Sequence, residues 1–206
     1  MGVLTVEKNY NSKIANAYRL LRTNLQYNFL GKNNKTITIT SAQDNDGKST
    51  VCGNLALSFS QTNKSVLVID CNLRKPSIYK EFEMGNELGL AEILASKENI
   101  DKSIKEYNSK LHVITAGDMP VNPTEMLCSS DVNELLESMK KIYDVILIDT
   151  PSLNEFADAQ VLASQSDGVI LVAKIGNTKK RNITEAIEKL HNVKANIVGG
   201  ILNSDY

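Results

Sequence analysis

The stretch Ala42-Gln43-Asp44-Asn45-Asp46-Gly47-Lys48-Ser49-Thr50 lies between a β-branched run and a helical pattern. Its spacing is that of a P-loop, with Ala42 in place of the usual first glycine. Such a loop binds phosphate, because successive backbone N–H groups and the following helix N-terminus draw in phosphate oxygens. Lys48 would reach the β- and γ-phosphates of a nucleoside triphosphate, and the Ser49 hydroxyl would hold Mg²⁺. The candidate nucleotide-binding residues are therefore Gln43, Asp44, Asn45, Asp46, Gly47, Lys48, Ser49 and Thr50. Asn45 stands where these loops often carry Gly, and Asn tolerates positive φ better than most residues. Asp44 and Asp46 are expected to weaken binding, because they set two carboxylates beside a polyphosphate.

Two further acids suit the same chemistry. Val66-Leu67-Val68-Ile69-Asp70 and Val145-Ile146-Leu147-Ile148-Asp149 are each an apolar run closed by Asp. Ligands of open parallel sheets bind beyond the carboxyl ends of strands, so both acids can face the phosphates. Asp149 precedes Thr150-Pro151 and reads as the Walker-B acid that supports Mg²⁺. Asp70 opens the segment Asp70-Cys71-Asn72-Leu73-Arg74-Lys75-Pro76, and would either orient Mg²⁺ or accept the proton of an attacking hydroxyl. The metal set is thus Ser49, Asp70 and Asp149, and the catalytic pair Lys48 and Asp70. His112 and His191 are far apart, lack an obvious nucleophile, and read as core or surface residues.

These residues need a scaffold. Strand patterns fall at 36–41, 65–70, 111–115, 144–149, 168–174 and 196–203, several of them apolar at nearly every position. Helical patterns lie between them at 49–61, 124–141 and 179–191. Buried strands alternating with helices imply an α/β fold, a mostly parallel central sheet flanked by helices. A further helix at 13–30 carries Ile14, Tyr18, Leu21, Leu25 and Phe29 as a packing stripe, and 31–35 reads as the loop into the first strand. No repeat, low-complexity tract or linker interrupts the 206 residues, so one domain over 1–206 is the simplest account. The formal net charge of −1 gives no sign of a nucleic-acid partner. The three cysteines have neither metal-ligand spacing nor an even count, and suit packing in a reducing cytosol. No apolar run approaches the ~20 residues of a membrane span, so a cytoplasmic protein is expected, with any membrane association made through a partner.

Together these motifs resemble the bacterial tyrosine kinases, P-loop proteins of the ParA/MinD-like branch associated with capsule and exopolysaccharide synthesis. Ala17-Tyr18-Arg19-Leu20-Leu21-Arg22-Thr23-Asn24 is similar to that family's N-terminal helix motif. Residues 41–50 resemble its Walker A, 66–76 its second Walker A′ element, and Ile146-Leu147-Ile148-Asp149-Thr150-Pro151 its Walker B. Gly117-Asp118-Met119-Pro120-Val121-Asn122-Pro123-Thr124-Glu125-Met126-Leu127 resembles the segment after the middle strand, and Ala157-Asp158-Ala159 the one beyond Walker B. Gly200-Ile201-Leu202-Asn203 resembles the adenine-side strand, so Asn203 is either a hydrogen-bond partner of the base or a strand-end turn residue. The resemblance implies a kinase that uses ATP and Mg²⁺ to phosphorylate tyrosine, often within its own oligomer. It also implies recruitment and activation by a separate, membrane-anchored protein.

The sequence departs from the family at several points. Asn72 stands where the Walker A′ element has a second acid, and Asn16 where the helix motif has Glu ahead of Arg19 and Arg22. In the family that Glu and those arginines help to join subunits into a ring, so Asn16 removes a charge partner. Asp44-Asn45-Asp46 replaces Pro-Gly-Glu, and of the C-terminal tyrosine cluster only Tyr206 is present. These changes open a second reading, a catalytically weak nucleotide-binding regulator of the same system. A third, a ParA/MinD-type positioning ATPase, is disfavoured by Gln43, which stands where those proteins have a signature lysine.

Overall fold

Strands that are apolar at consecutive positions need cover on both faces. The computed structural model of the protein, which describes residues 4–29, 35–96 and 100–204, supplies it. The chain opens with α1 (Thr5–Lys8) and α2 (Lys13–Asn28), then β1 (Lys35–Ser41), α3 (Lys48–Ser60) and β2 (Val66–Asp70). Three short helices follow, α4 (Ile78–Glu81), α5 (Leu90–Ser96) and α6 (Ile100–Ser103), then β3 (Lys105–Asn108) and β4 (Leu111–Ile114). The remainder runs α7 (Pro123–Leu127), α8 (Ser130–Met139), β5 (Val145–Asp149), α9 (Asp158–Gln165), β6 (Gly168–Lys174), α10 (Lys180–Asn192) and β7 (Ile197–Asn203).

Among the described residues seven strands form one sheet in the order β3-β4-β2-β5-β1-β6-β7. Every pairing is parallel except β3 with β4. Alternate residues of each central strand serve opposite layers. Val66 and Val68 pack with Leu25 of α2, Phe29 at its C-terminal cap, and Leu55 and Phe59 of α3. Leu67 and Ile69 pack with Leu94, Val132 and Leu136 of α5 and α8. A third cluster joins Val169 and Leu171 of β6 to Ala163 of α9 and Leu190 of α10. The register sets Asp70 directly beside Asp149 at the carboxyl ends of β2 and β5.

The expected mostly parallel α/β architecture is the one observed, and the six expected strands agree to within one residue at each end. The expected helix at 124–141 is instead two, α7 and α8, because Ser129 adopts an extended backbone (φ −67°, ψ 156°) that starts a new helix. Strand β3 escapes the pattern because three of its four residues, Lys105, Glu106 and Asn108, are polar and it sits at the sheet edge. In α2 the stripe is offset from expectation. Ala15, Leu25 and Phe29 are buried and Ile14 is exposed, while Tyr18 and Leu21 are half-buried. Leu30, most of the loop at 31–35, and Tyr206 lie outside the described residues. Among the described residues no helix is long and apolar enough to cross a membrane.

Candidate functional site

Strand β1 ends at Ser41 and delivers the P-loop to the N-terminus of α3, whose first residue is Lys48. Two positions of the loop need left-handed backbone: Asn45 (φ 64°) and Gly47 (φ 87°). Gly47 is required sterically as well, since a Cβ there would lie 2.2 Å from Asn203 Nδ2. That Asn203 amide donates to the Asp46 carbonyl (3.0 Å), so the end of β7 braces the loop. The Asp46 carboxylate is fully buried and accepts from Thr178 Oγ1 (2.7 Å) and Asn177 Nδ2 (3.4 Å). The expected pair of carboxylates beside a polyphosphate is therefore reduced to one, Asp44. Gln43 also faces α10, accepting from Asn182 Nδ2 (2.8 Å) and donating to the Asn177 carbonyl (3.3 Å).

The other six P-loop candidates, Asp44, Asn45, Gly47, Lys48, Ser49 and Thr50, line a cavity of about 220 Å³. Its far wall is Asn72, Lys75, Ser77 and Glu81, supplied by the chain after β2 and by α4. Sequence reading missed Ser77 and Glu81, because only the turn residue Pro76 marks this segment and nothing in the spacing aims it at the loop. Glu81 accepts from Thr50 Oγ1 (2.8 Å) and so ties α4 to the first turn of α3. Lys48 is 6% exposed and its Nζ lies 3.9 Å from Asp44 Oδ1, while Lys75 Nζ lies 2.6 Å from Asp44 Oδ2. Burial pushes the Asp44 carboxyl up, but Lys75 and Lys48 outweigh it and hold the group below the usual carboxylate range.

Beneath the cavity the two strand-end acids meet. Ser49 Oγ donates to Asp149 Oδ2 (2.5 Å) and lies 2.6 Å from Ser77 Oγ. Asp149 Oδ1 is buried with no hydrogen-bond partner among the described residues. Asp70 accepts from three backbone N–H groups, Asn72 at 3.0 Å and Ser77 and Ile78 each at 3.1 Å. Burial, and then the charge of Asp149, push Asp70 up to about 8. Burial likewise pushes Asp149 up to about 6, against the Ser49 hydrogen bond and the Lys48 charge. Adjacent buried acids with an orphaned carboxylate oxygen and a serine hydroxyl are hard oxygen donors short of positive charge, which suits Mg²⁺. Asp70 is wholly buried and both of its oxygens accept from the loop that follows it.

Around this centre the rim is tied together. Arg74 Nε donates to the buried Asp158 (3.0 Å), Arg74 Nη2 to Thr124 Oγ1 (2.9 Å), and its guanidinium stacks on Phe156 at 4.1 Å. Thr124 also donates to Asp158, so the segments after β2, β4 and β5 share one polar knot. On the other side of α3, an apolar cavity of about 330 Å³ is lined by Tyr18, Leu21, Val51, Ile201, Leu202 and Asn203, among others. Asn203 thus stands between the apolar cavity and the P-loop. Asn16 accepts a hydrogen bond from Arg19, and Arg22 donates to the Ser58 carbonyl (2.6 Å), so neither arginine of the helix motif lacks a partner. His112 bonds the Tyr143 hydroxyl (2.8 Å) remote from the cavity, and Cys52 and Cys71 are buried packing residues.

A family model described as an AAA domain matches residues 34–201. The chain is 38% identical to tyrosine-protein kinase YwqD of Bacillus subtilis (strain 168), over 97% of this chain and 84% of that protein. The kinase domain of the Escherichia coli tyrosine kinase ETK superposes with a TM-score of 0.93 at 32% identity, covering 98% of this chain and 79% of that one. The septum site-determining protein MinD from Pyrococcus horikoshii OT3, solved with Mg-ADP, shares the fold alone: TM-score 0.69 and 22% identity over 82% of this chain and 70% of that one.

Proposed function

The chain belongs to the bacterial tyrosine-kinase family of AAA-domain P-loop proteins, and from that membership we propose that it transfers the γ-phosphoryl group of ATP, with Mg²⁺, to protein tyrosines. The observation that carries the reading is that Lys48 and Ser49 line one cavity while Asp149, with Asp70 beside it in register, accepts from Ser49 beneath that cavity. The P-loop N–H groups bind the phosphates and Lys48 neutralises charge on the β- and γ-phosphates. Ser49 and Asp149 would hold Mg²⁺, and Asp70 stands beside Asp149 while ordering the Asn72–Ser77 turn. Bound there, Mg²⁺ supplies charge neutralisation of the β- and γ-oxygens. The apolar cavity beside Asn203 suits the adenine ring. Asn203 Nδ2 is committed to the Asp46 carbonyl, which leaves Oδ1 to accept from the base amino group.

The same proposal includes phosphorylation within an oligomer and action on the cytoplasmic side in capsular or exopolysaccharide synthesis under a membrane-anchored activator. Family membership supports these parts. Asn72 favours a second reading, a nucleotide-binding regulator with weak transfer: it brings no charge, and its Oδ1 accepts from Lys75 N (3.3 Å).

Incubation with labelled Mg·ATP, with and without the cytoplasmic segment of a candidate activator, tests the first reading. Label on tyrosine is expected, and Lys48→Met should abolish it. Label that persists in Lys48→Met sinks the assignment, and binding without any label leaves the regulator.

A further inference from the structure

Lys75 lies outside the P-loop, yet it borders the same cavity as Lys48 and Ser49. Its backbone is anchored while its side chain is mostly exposed. Lys75 N donates to Asn72 Oδ1 (3.3 Å), Pro76 restricts the backbone of Lys75 before it, and the Ser77 and Ile78 N–H groups are held by Asp70. The side chain is 67% exposed, with its ammonium 2.6 Å from Asp44 and 3.8 Å from Glu155. Asp44 in turn faces Lys48. A single carboxylate thus bridges a P-loop lysine and a lysine of the opposite wall, which is the contact a phosphate group would make.

We propose that Lys75 is a second phosphate-positioning lysine and that Asp44 is its resting counter-ion, which the outermost phosphate of a bound nucleoside triphosphate displaces. The inference rests on the nucleotide-binding reading of the P-loop. The terminal phosphate is singled out by position. The 2.6 Å contact of Ser49 Oγ with Ser77 Oγ sets the Lys75 segment beside the hydroxyl that would hold Mg²⁺, the ion that would neutralise charge on the outer phosphates. A γ-phosphate carries more charge than a carboxylate and offers more acceptor oxygens, so it competes well with Asp44 for the Lys75 ammonium. A diphosphate lacks the outer group and leaves Lys75 with Asp44. Lys75 therefore discriminates triphosphate from diphosphate, and Asp44 lowers affinity for both by occupying Lys48.

Calorimetric titration with Mg²⁺ plus either ADP or a non-hydrolysable ATP analogue tests this, using wild type, Lys75→Gln, Asp44→Asn and the double variant. Lys75→Gln should weaken the triphosphate analogue about tenfold, the scale of one charge-assisted hydrogen bond, and change ADP little. Asp44→Asn should tighten the analogue, and less so in the Lys75→Gln background. An unchanged ratio of analogue to ADP affinity in Lys75→Gln overturns the role of Lys75. Equal effects of Asp44→Asn with and without Lys75 overturn the counter-ion role. Failure of the wild type to bind either nucleotide removes the P-loop reading itself, a result distinct from both.

Discussion

Asp149→Asn removes one of two adjacent buried charges while keeping an oxygen for the Ser49 hydroxyl to donate to. Asp149 is wholly buried, and its carboxyl is pushed from 3.8 to about 6, first by burial. An acid with a raised folded pKa holds its proton longer in the folded state than in the unfolded chain. Stability therefore falls as pH rises through the window from the unfolded value to about 6. At roughly 1.4 kcal/mol per pKa unit, that displacement costs the ion-free protein about 3 kcal/mol above the window. Asp70 extends the loss towards about 8, and part of that displacement comes from Asp149 and disappears with it. Against this, the new amide nitrogen has no acceptor, a cost of about 1 kcal/mol. Asp149→Asn is accordingly expected to stabilise the metal-free protein by about 2 kcal/mol near pH 8, or roughly 4–8 °C in Tm. The gain should shrink near pH 4, and the variant should lose phosphotransfer. Urea unfolding in EDTA across this range, repeated with Mg²⁺ and ADP, reads all of it: the nucleotide should raise wild-type stability and leave the variant nearly unchanged. A variant less stable than wild type near pH 8, or a difference that does not depend on pH, would refute the repulsion argument.

Two further substitutions probe the supports of the site. Gly47→Ala places a β-carbon at positive φ and 2.2 Å from Asn203 Nδ2, which must let go of the Asp46 carbonyl. A cost of about 2–3 kcal/mol with weakened nucleotide binding is expected, and thermal unfolding at wild-type temperature would show that the loop tolerates the change. Arg74→Ala leaves Asp158 buried with Thr124 as its remaining side-chain partner among those described, and should cost about 2–3 kcal/mol in urea unfolding. A loss below about 0.5 kcal/mol would mean that the charge finds another partner.

The P-loop, the two strand-end acids and the parallel sheet were legible in the sequence because each is a local pattern. Gly-Lys-Ser-Thr at 47–50 meets backbone and phosphate requirements within a few residues, and VLVID and VILID each bury four consecutive apolar residues ahead of the acid. The break between α7 and α8 was hidden, since an extended Ser129 can be read only from its backbone angles. So was β3, where Tyr107, set against Phe82, is the one apolar side chain and an edge pairing with β4 supplies the rest. The carboxylates of the P-loop make the point most directly. Asp44 and Asp46 are near neighbours of the same type, yet one meets Lys75 in the cavity and the other is buried against Thr178. Their partners arrive from strand ends distant in the chain, as do Asn203 at Asp46 and Ser77 at Ser49. Residue type states what each group can bond. Which group it does bond follows from strand order and the packing of both layers, and these are properties of the folded chain rather than of any window of its sequence.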